Sequence, residues 1–479
     1  MTPTVSAGLL LIVLLGGTAL GTRGLSTQAW RAGLVAGLVA GLVNLLLLGS
    51  KLTEAGDAPG ERAATLVPQA PLIVLGFLGL CLTMGGIGGG AGGLLGGRSR
   101  AAEGTWLARF AVIAVVSLVP LITIGGAVTS AGAGMAVPDW PGTYGSNMFL
   151  YPIGLMADPY IFLEHTHRLF GTLVGLIAIM LTSAVLVKRG GWRSLLVTLP
   201  LAGAAFGTVI LNNSGRITPS VSIPTLALVA FALVVWSVGS AIRRSPGSLA
   251  TGIFALVCTQ GMLGALRVTE INPIFGVFHG ILAQLILAFG VVLAAMLTST
   301  WRQRVSIPAD TGVAGRIGKR VSSIAAVMLL IQLSLAALYR HTFATHALWA
   351  HIAFAIFVTI AVASLGFILM RADTFSAQGK GLHRIGRALV VAVGLQFALG
   401  FVAWGFGSAV GHSRVVMYDQ LEGAAPPSMG LVISATAHQA NGAFLIAMTA
   451  LALAWSTRLA SPARNPAETR NRGAVAALG

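Results

Sequence analysis

The chain has 479 residues, of which 56% are hydrophobic and 9% charged, and its mean hydropathy is +0.87. That composition excludes an ordinary soluble domain and defines a polytopic membrane protein. The net charge of +17 would suggest a nucleic-acid partner in a soluble chain, but here the basic residues concentrate in alternate loops, so no nucleic acid is expected.

Continuously apolar runs of about 20 residues cross a bilayer as helices. In chain order they fall near 5–21, 29–49, 71–96, 107–132, 160–187, 196–213, 222–242, 249–268, 274–298, 321–339, 347–370, 385–405 and 430–457. The fold class is therefore all-α, with about 13 transmembrane helices; a β-barrel would alternate with period two, and these runs do not. Segments 22–31, 97–109, 188–193, 243–244, 299–320, 371–387 and 458–472 together carry 23 of the 30 Lys and Arg. Those segments mark the cytoplasmic face. The loops at 133–159, 269–273, 340–346 and 406–429 then face outward.

Residues 1–106 hold three apolar runs and the stretch Gly85-Gly86-Ile87-Gly88-Gly89-Gly90. No Lys-Ser/Thr pair follows that stretch, so close helix packing or a flexible exit is a better reading than a phosphate loop. Neither a signal peptide nor a transit peptide pattern is evident, and a bacterial inner membrane is the expected location. Cys81 and Cys258 fall in predicted helices, so no disulfide framework is inferred.

Of 13 acidic residues, only Glu164 falls inside a predicted span, in the run Glu164-His165-Thr166-His167-Arg168. An acid near the hydrocarbon is read as functional by default, and His167 shares its helical face. A plain ion pair between Glu164 and Arg168 is the competing reading. His165 points to another face and is expected at the interface.

His167, His279, His351 and His438 each stand early in a helix entering from the outer side, which predicts one layer in the outer leaflet. A small residue follows each by four positions, respectively Gly171, Ala283, Ala355 and Gly442, giving clearance for a flat macrocycle. The chain also repeats itself. Gln260-Gly-Met-Leu-Gly264-Ala-Leu-Arg267 and Gln332-Leu-Ser-Leu-Ala336-Ala-Leu-Tyr-Arg340 each precede a histidine that lies 19 residues after the glutamine. Gln396-Phe-Ala-Leu-Gly400 is a fainter third copy before His438. The pattern predicts two pseudo-repeated four-helix halves, each with histidines on two helices. Facing histidines are the usual six-coordinate ligation of a haem iron. His341, His346 and His412 are expected in outer loops, exposed to solvent, although His341 beside Arg340 suits a haem propionate.

With Gly125-Gly126-Ala-Val-Thr-Ser-Ala-Gly-Ala-Gly134-Met-Ala-Val-Pro138-Asp139-Trp140-Pro141 before the Glu-x-x-His-Arg element, the chain resembles the haem A synthases over roughly residues 107 to 457. The resemblance implies oxidation of the C8 methyl of haem O to a formyl group, making haem A for terminal oxidases. It implies an amino-terminal half, 107–298, that holds substrate haem O through His167 and His279, with Glu164 the acid nearest the reacting methyl. It implies a carboxy-terminal half, 299–457, that holds haem b through His351 and His438, followed by a cytoplasmic tail, 458–479. Arg168 and Arg340 suit the propionates, with headgroup anchoring as the alternative. Trp140 with Pro138 and Pro141 suits a cap over the first site. The implied partners are the bilayer, haem O supplied by a haem O synthase, and an unidentified electron acceptor. The chain departs from the family in lacking an outer-loop cysteine pair, in its extra residues 1–106, and in a hairpin inserted at 196–242. The rival readings are a di-haem b-type cytochrome that only transfers electrons, which has no need of Glu164, and a transporter, which has no need of four histidines at one depth.

Overall fold

The computed structural model describes residues 3–22, 28–55, 64–95, 105–303, 309–410 and 415–460. Arg62, His412, Arg414, residues 461–479 of the expected tail, and most of the basic loops near 22–31 and 97–109 lie outside those residues. The described chain is almost wholly helical. In order the helices are α1 (Pro3–Thr22), α2 (Ala29–Leu48), α3 (Ala70–Leu95), α4 (Thr105–Ala131), α5 (Pro159–Arg189), α6 (Leu195–Asn213), α7 (Pro219–Ile242), α8 (Pro246–Thr269), α9 (Pro273–Leu297), the single turn α10 (Ser299–Arg302), α11 (Ala309–Thr342), α12 (Thr345–Met370), α13 (Ala377–Val410) and α14 (Met429–Ala460). Twelve of them are long and apolar enough to cross a membrane, and α1 adds a shorter apolar segment, Ile12–Thr22. The protein is a multi-pass, all-α membrane protein.

Two helices overrun their apolar cores. α11 and α13 have 34 residues each, against expected cores of 321–339 and 385–405. At about 1.5 Å per residue such a helix is about 51 Å long, well beyond the roughly 30 Å of hydrocarbon. The surplus is the basic amino-terminal turns holding Arg316, Lys319 and Arg320 in α11 and Lys380, Arg384 and Arg387 in α13. Backbone hydrogen bonding continues the helix where hydropathy has already fallen.

The chain divides into two compact units. The first comprises Met1–Trp106, Ala127–Ile177 and Ser413–Pro427; the second comprises Leu107–Gly126, Ala178–His412 and Ser428–Gly479.

In the first unit α3 packs against both α1 and α2. Gly85 and Gly89 of α3 lie against Gly33 and Gly37 of α2, so closely that a Cβ at any of them would strike the facing backbone. Thr22 donates a hydrogen bond from Oγ1 to the Gly89 carbonyl at 3.2 Å. The glycine run therefore serves close helix packing, in which small residues let backbones approach and dispersion replaces the hydrophobic drive that lipid removes. Cys81 is buried in α3. Beyond the carboxy-terminal end of α2 a short antiparallel pair, β1 (Thr53–Ala55) and β2 (Ala64–Leu66), joins Thr53 to Leu66 in register.

In the second unit α11, α12, α13 and α14 form a closed ring, each packed on the next and α14 back on α11. Its core is fully buried aliphatic side chains, among them Leu365, Leu369, Leu389 and Leu445. α9 packs on α8, α11 and α14, and the α6–α7 hairpin packs on α8. Asn212 of α6 donates to the Glu270 carboxylate, and Trp236 of α7 donates from Nε1 to the Ser248 carbonyl at 3.1 Å. Helices α6 and α7 thus form a hairpin fastened at both ends to its neighbours.

Candidate functional site: an acid–arginine loop cluster and a histidine layer

In the first unit α5 begins where Asp158 accepts hydrogen bonds from the Tyr160 and Ile161 amides at 2.8 and 3.2 Å, with Pro159 at the first helical position. These satisfy donors that a helix start leaves open. One turn later Glu164 is buried, at 6% exposure, and its Oε1 accepts from Nε of Arg168 at 3.1 Å. The rest of the guanidinium grips the loop between α4 and α5, donating to the carbonyls of Asp139 at 2.6 Å, Gly142 at 3.1 Å and Val137 at 3.0 Å. Four of its five N–H groups are thereby engaged. The geometry makes Arg168 a loop clamp, a role that neither the propionate nor the headgroup reading foresaw.

Asp139 completes the loop. Its carboxylate accepts from the amides of Tyr144 at 2.7 Å and Gly145 at 2.9 Å, across a turn in which Tyr144 and Gly145 have φ of 50° and 76°. Trp140 lies in this loop, joined to Pro141 by a cis peptide bond. His165 is not an interface residue. It is fully buried, shares a 3.2 Å hydrogen bond between Nδ1 and Thr143 Oγ1, and lies 5.5 Å from the Tyr151 ring centre. The loop folds back over α5 and removes that face from solvent, which hydropathy along α5 alone does not reveal. His167 is half-buried on the neighbouring face, and Gly171, one turn further, has open space beside it.

Two other segments brace this loop. Thr53 donates to the Leu150 carbonyl at 2.8 Å, and Gly49 packs on the Phe149 backbone. From the 415–427 segment Val416 donates to the Gly132 carbonyl at 3.0 Å, and the Tyr160 hydroxyl donates to the Ala425 carbonyl at 2.6 Å. Residues 1–106, unassigned by sequence, thus touch the loop that covers Glu164 and His165.

In the second unit His351 and His438 face each other across the ring, with ring centres 6.2 Å apart and planes at 76°. His351 Nδ1 donates to the Gln332 carbonyl at 3.1 Å, while Gln332 Nε2 donates back to the His351 carbonyl at 2.9 Å. The same clasp recurs at His279, where Nδ1 donates to the Gln260 carbonyl at 3.1 Å and Gln260 Nε2 donates to the His279 carbonyl at 3.0 Å. A carbonyl only accepts, so each Nδ1 carries the proton and each Nε2 keeps its lone pair. Gly264 and Gly400 leave room for these rings, since a Cβ would stand 3.2 Å from Cε1 of His279 and of His438 respectively. The glutamines and glycines of the Gln-x3-Gly repeat are site residues that hydropathy and histidine counting passed over; the repeat itself was the signal.

His341 departs from expectation. It is not in a solvated loop but on the last turn of α11, half-buried, with its ring against Gly276 and Gly280 of α9. α11 continues to Thr342, which carries the imidazole onto the neighbouring helix. Arg340 beside it has Nη2 buried without a hydrogen-bond partner among the described residues. His346 is exposed near the start of α12. His383 donates from Nδ1 to the Met370 carbonyl at 2.9 Å. Cys258 is a half-buried free thiol in α8. Among the described residues no group of three or more His, Cys, Asp or Glu converges on one point.

Fold and sites together define a multi-pass helical membrane protein with a loop-capped acid–arginine pair in one unit and a histidine pair across a four-helix ring in the other. No family model, no curated protein and no solved structure matches the chain.

Proposed function

We propose that this protein is a haem-binding membrane oxidoreductase of the haem A synthase type, converting the C8 methyl of haem O to a formyl group. One observation carries the reading: the 6.2 Å separation of the His351 and His438 rings. Two metal–nitrogen bonds of about 2 Å, with about 1 Å from nitrogen to ring centre on either side, place ring centres about 6 Å apart. The residues therefore fit an iron held between them. The Nδ1 bond of His351 to a carbonyl is the outer-shell partner that ligating histidines use to fix tautomer and raise basicity. Gly400 keeps the space beside His438 clear of side chain.

In this reading His351 and His438 hold a resident haem b, and His167 holds substrate haem O. A bound haem supplies the redox-active iron through which electrons leave toward an acceptor protein or molecule. Glu164 supplies negative charge beside the reacting methyl, where oxidation builds up positive charge. Arg168 holds Glu164 and the loop in place and so excludes water. Arg340, with a buried N–H unspent, is the better of the two arginines for a propionate. The proposed setting is a bacterial cytoplasmic membrane, with haem sites toward the outer side and haem O supplied by a haem O synthase.

A second reading has an observation in its favour. Glu164 is tied to Arg168, as expected of a structural pair in a di-haem b-type cytochrome that transfers electrons and performs no chemistry on haem. Purification from cells co-expressing a haem O synthase, followed by chromatography and mass analysis of extracted haem, separates the two. Haem A or its hydroxylated precursor beside haem b supports the synthase; haem b alone, with haem O available, supports the cytochrome.

A further inference from the structure

The three glutamine–histidine pairs are not equivalent, and the difference can be followed atom by atom. Asn441 Nδ2 donates to the Ala392 carbonyl at 2.9 Å, and a carbonyl accepts only, so this atom is nitrogen. The same nitrogen donates to Gln396 Oε1 at 2.7 Å, which fixes the orientation of the Gln396 amide. Gln396 Nε2, the remaining end, lies 3.2 Å from Nε2 of His438. An amide nitrogen has no lone pair to offer, so His438 Nε2 accepts and its proton sits on Nδ1. The backbone of Gln396 also hydrogen-bonds the His438 ring.

His351 is held differently. Its Nδ1 is bonded to the Gln332 carbonyl at 3.1 Å, and the Gln332 amide is engaged with the His351 carbonyl at 2.9 Å, leaving a longer 3.4 Å approach to Nε2. One histidine is therefore clasped from behind with its ligating nitrogen nearly open. The other is capped on the ligating nitrogen itself, by an amide that Asn441 holds in place.

We propose that Gln396, oriented by Asn441, is a displaceable cap on His438, so that His351 is the fixed ligand of the pair and His438 the exchangeable one. This rests on the haem reading above. When His438 binds iron, the Gln396 N–H loses its acceptor in an apolar interior, and that loss opposes binding. Removing the cap removes the opposition.

The test is spectrophotometric titration of full-length, haem-depleted protein in detergent with ferric haem b. Gln396→Leu is expected to bind about fivefold more tightly than the wild type, the equivalent of one net hydrogen bond. Asn441→Ser, which frees the Gln396 amide to turn, is expected to move affinity the same way by a smaller factor and guards against a folding defect in the first variant. Gln332→Leu, which loosens the clasp and uncovers no ligating nitrogen, is not expected to raise affinity. Unchanged or weaker binding in both Gln396→Leu and Asn441→Ser, beside a wild type that forms the six-coordinate low-spin spectrum, would overturn the cap and leave the haem reading standing. A wild type that forms no such spectrum would overturn both.

Discussion

The loop cluster of the first unit and the histidine layer of the second are both polar islands in an apolar chain, yet they use their hydrogen-bonding capacity in opposite ways. Around Glu164 nearly every strong donor has a partner: four guanidinium bonds from Arg168, two amides on Asp139, and two on Asp158. In the histidine layer Gln260 Oε1, Gln332 Oε1 and Arg340 Nη2 are all buried without partners among the described residues. Buried polar groups in folded proteins are overwhelmingly satisfied, and each exception calls for an explanation. The contrast teaches that the first region is built as a closed support, while the second leaves buried polar atoms open among the described residues. Within the loop cluster His165 Nε2 is likewise buried without a hydrogen-bond partner among the described residues, its ring centre 5.5 Å from that of Tyr151.

Breaking the open region should have the largest effect. His351→Ala and His438→Ala are each expected to lose resident haem, read as the pyridine haemochrome content of purified protein. His167→Ala is expected to keep it and to impair substrate binding or turnover. The reverse pattern of haem loss would contradict the division of roles between His167 and the His351–His438 pair.

Breaking the closed region should cost stability before chemistry. Arg168→Met leaves the buried Glu164 charge without its partner and releases three loop carbonyls. The expected loss is about 3–5 kcal/mol, seen as a lowered thermal midpoint in detergent. Glu164→Ala sharpens the comparison, because it should keep haem content and abolish the formyl product; normal haem A formation would assign Glu164 to support alone.

Two smaller changes test the added amino-terminal helices. Gly89→Val sets a branched side chain against the Ala29 and Gly33 backbone and should cost about 3 kcal/mol by forcing α2 from α3, again read as thermal stability. Thr53→Ala removes one bond to Leu150 and should cost about 1 kcal/mol, with faster amide exchange concentrated in residues 147–151.

Much of this architecture was legible in advance because a bilayer imposes length and apolarity on every span. All 13 apolar runs became helices, and the Gln-to-His spacing of 19 residues marked two pairs that the fold brings into hydrogen-bond contact. What hydropathy could not carry was side-chain commitment. Arg168 reads the same in sequence whether it meets a propionate or three loop carbonyls. His165 reads as interfacial until Thr143 and Tyr151 close over it, contacts that depend on a loop without periodic pattern. His341 reads as loop because hydropathy fades near Arg340, although the backbone keeps its helix for one more turn.

The most direct measurement is the absorption and low-temperature EPR spectrum of the purified wild-type protein. The account predicts a six-coordinate, low-spin haem with two imidazole ligands that disappears in His351→Ala. A preparation without haem, from cells in which haem is available, or a low-spin signal unaffected by that substitution, would contradict it.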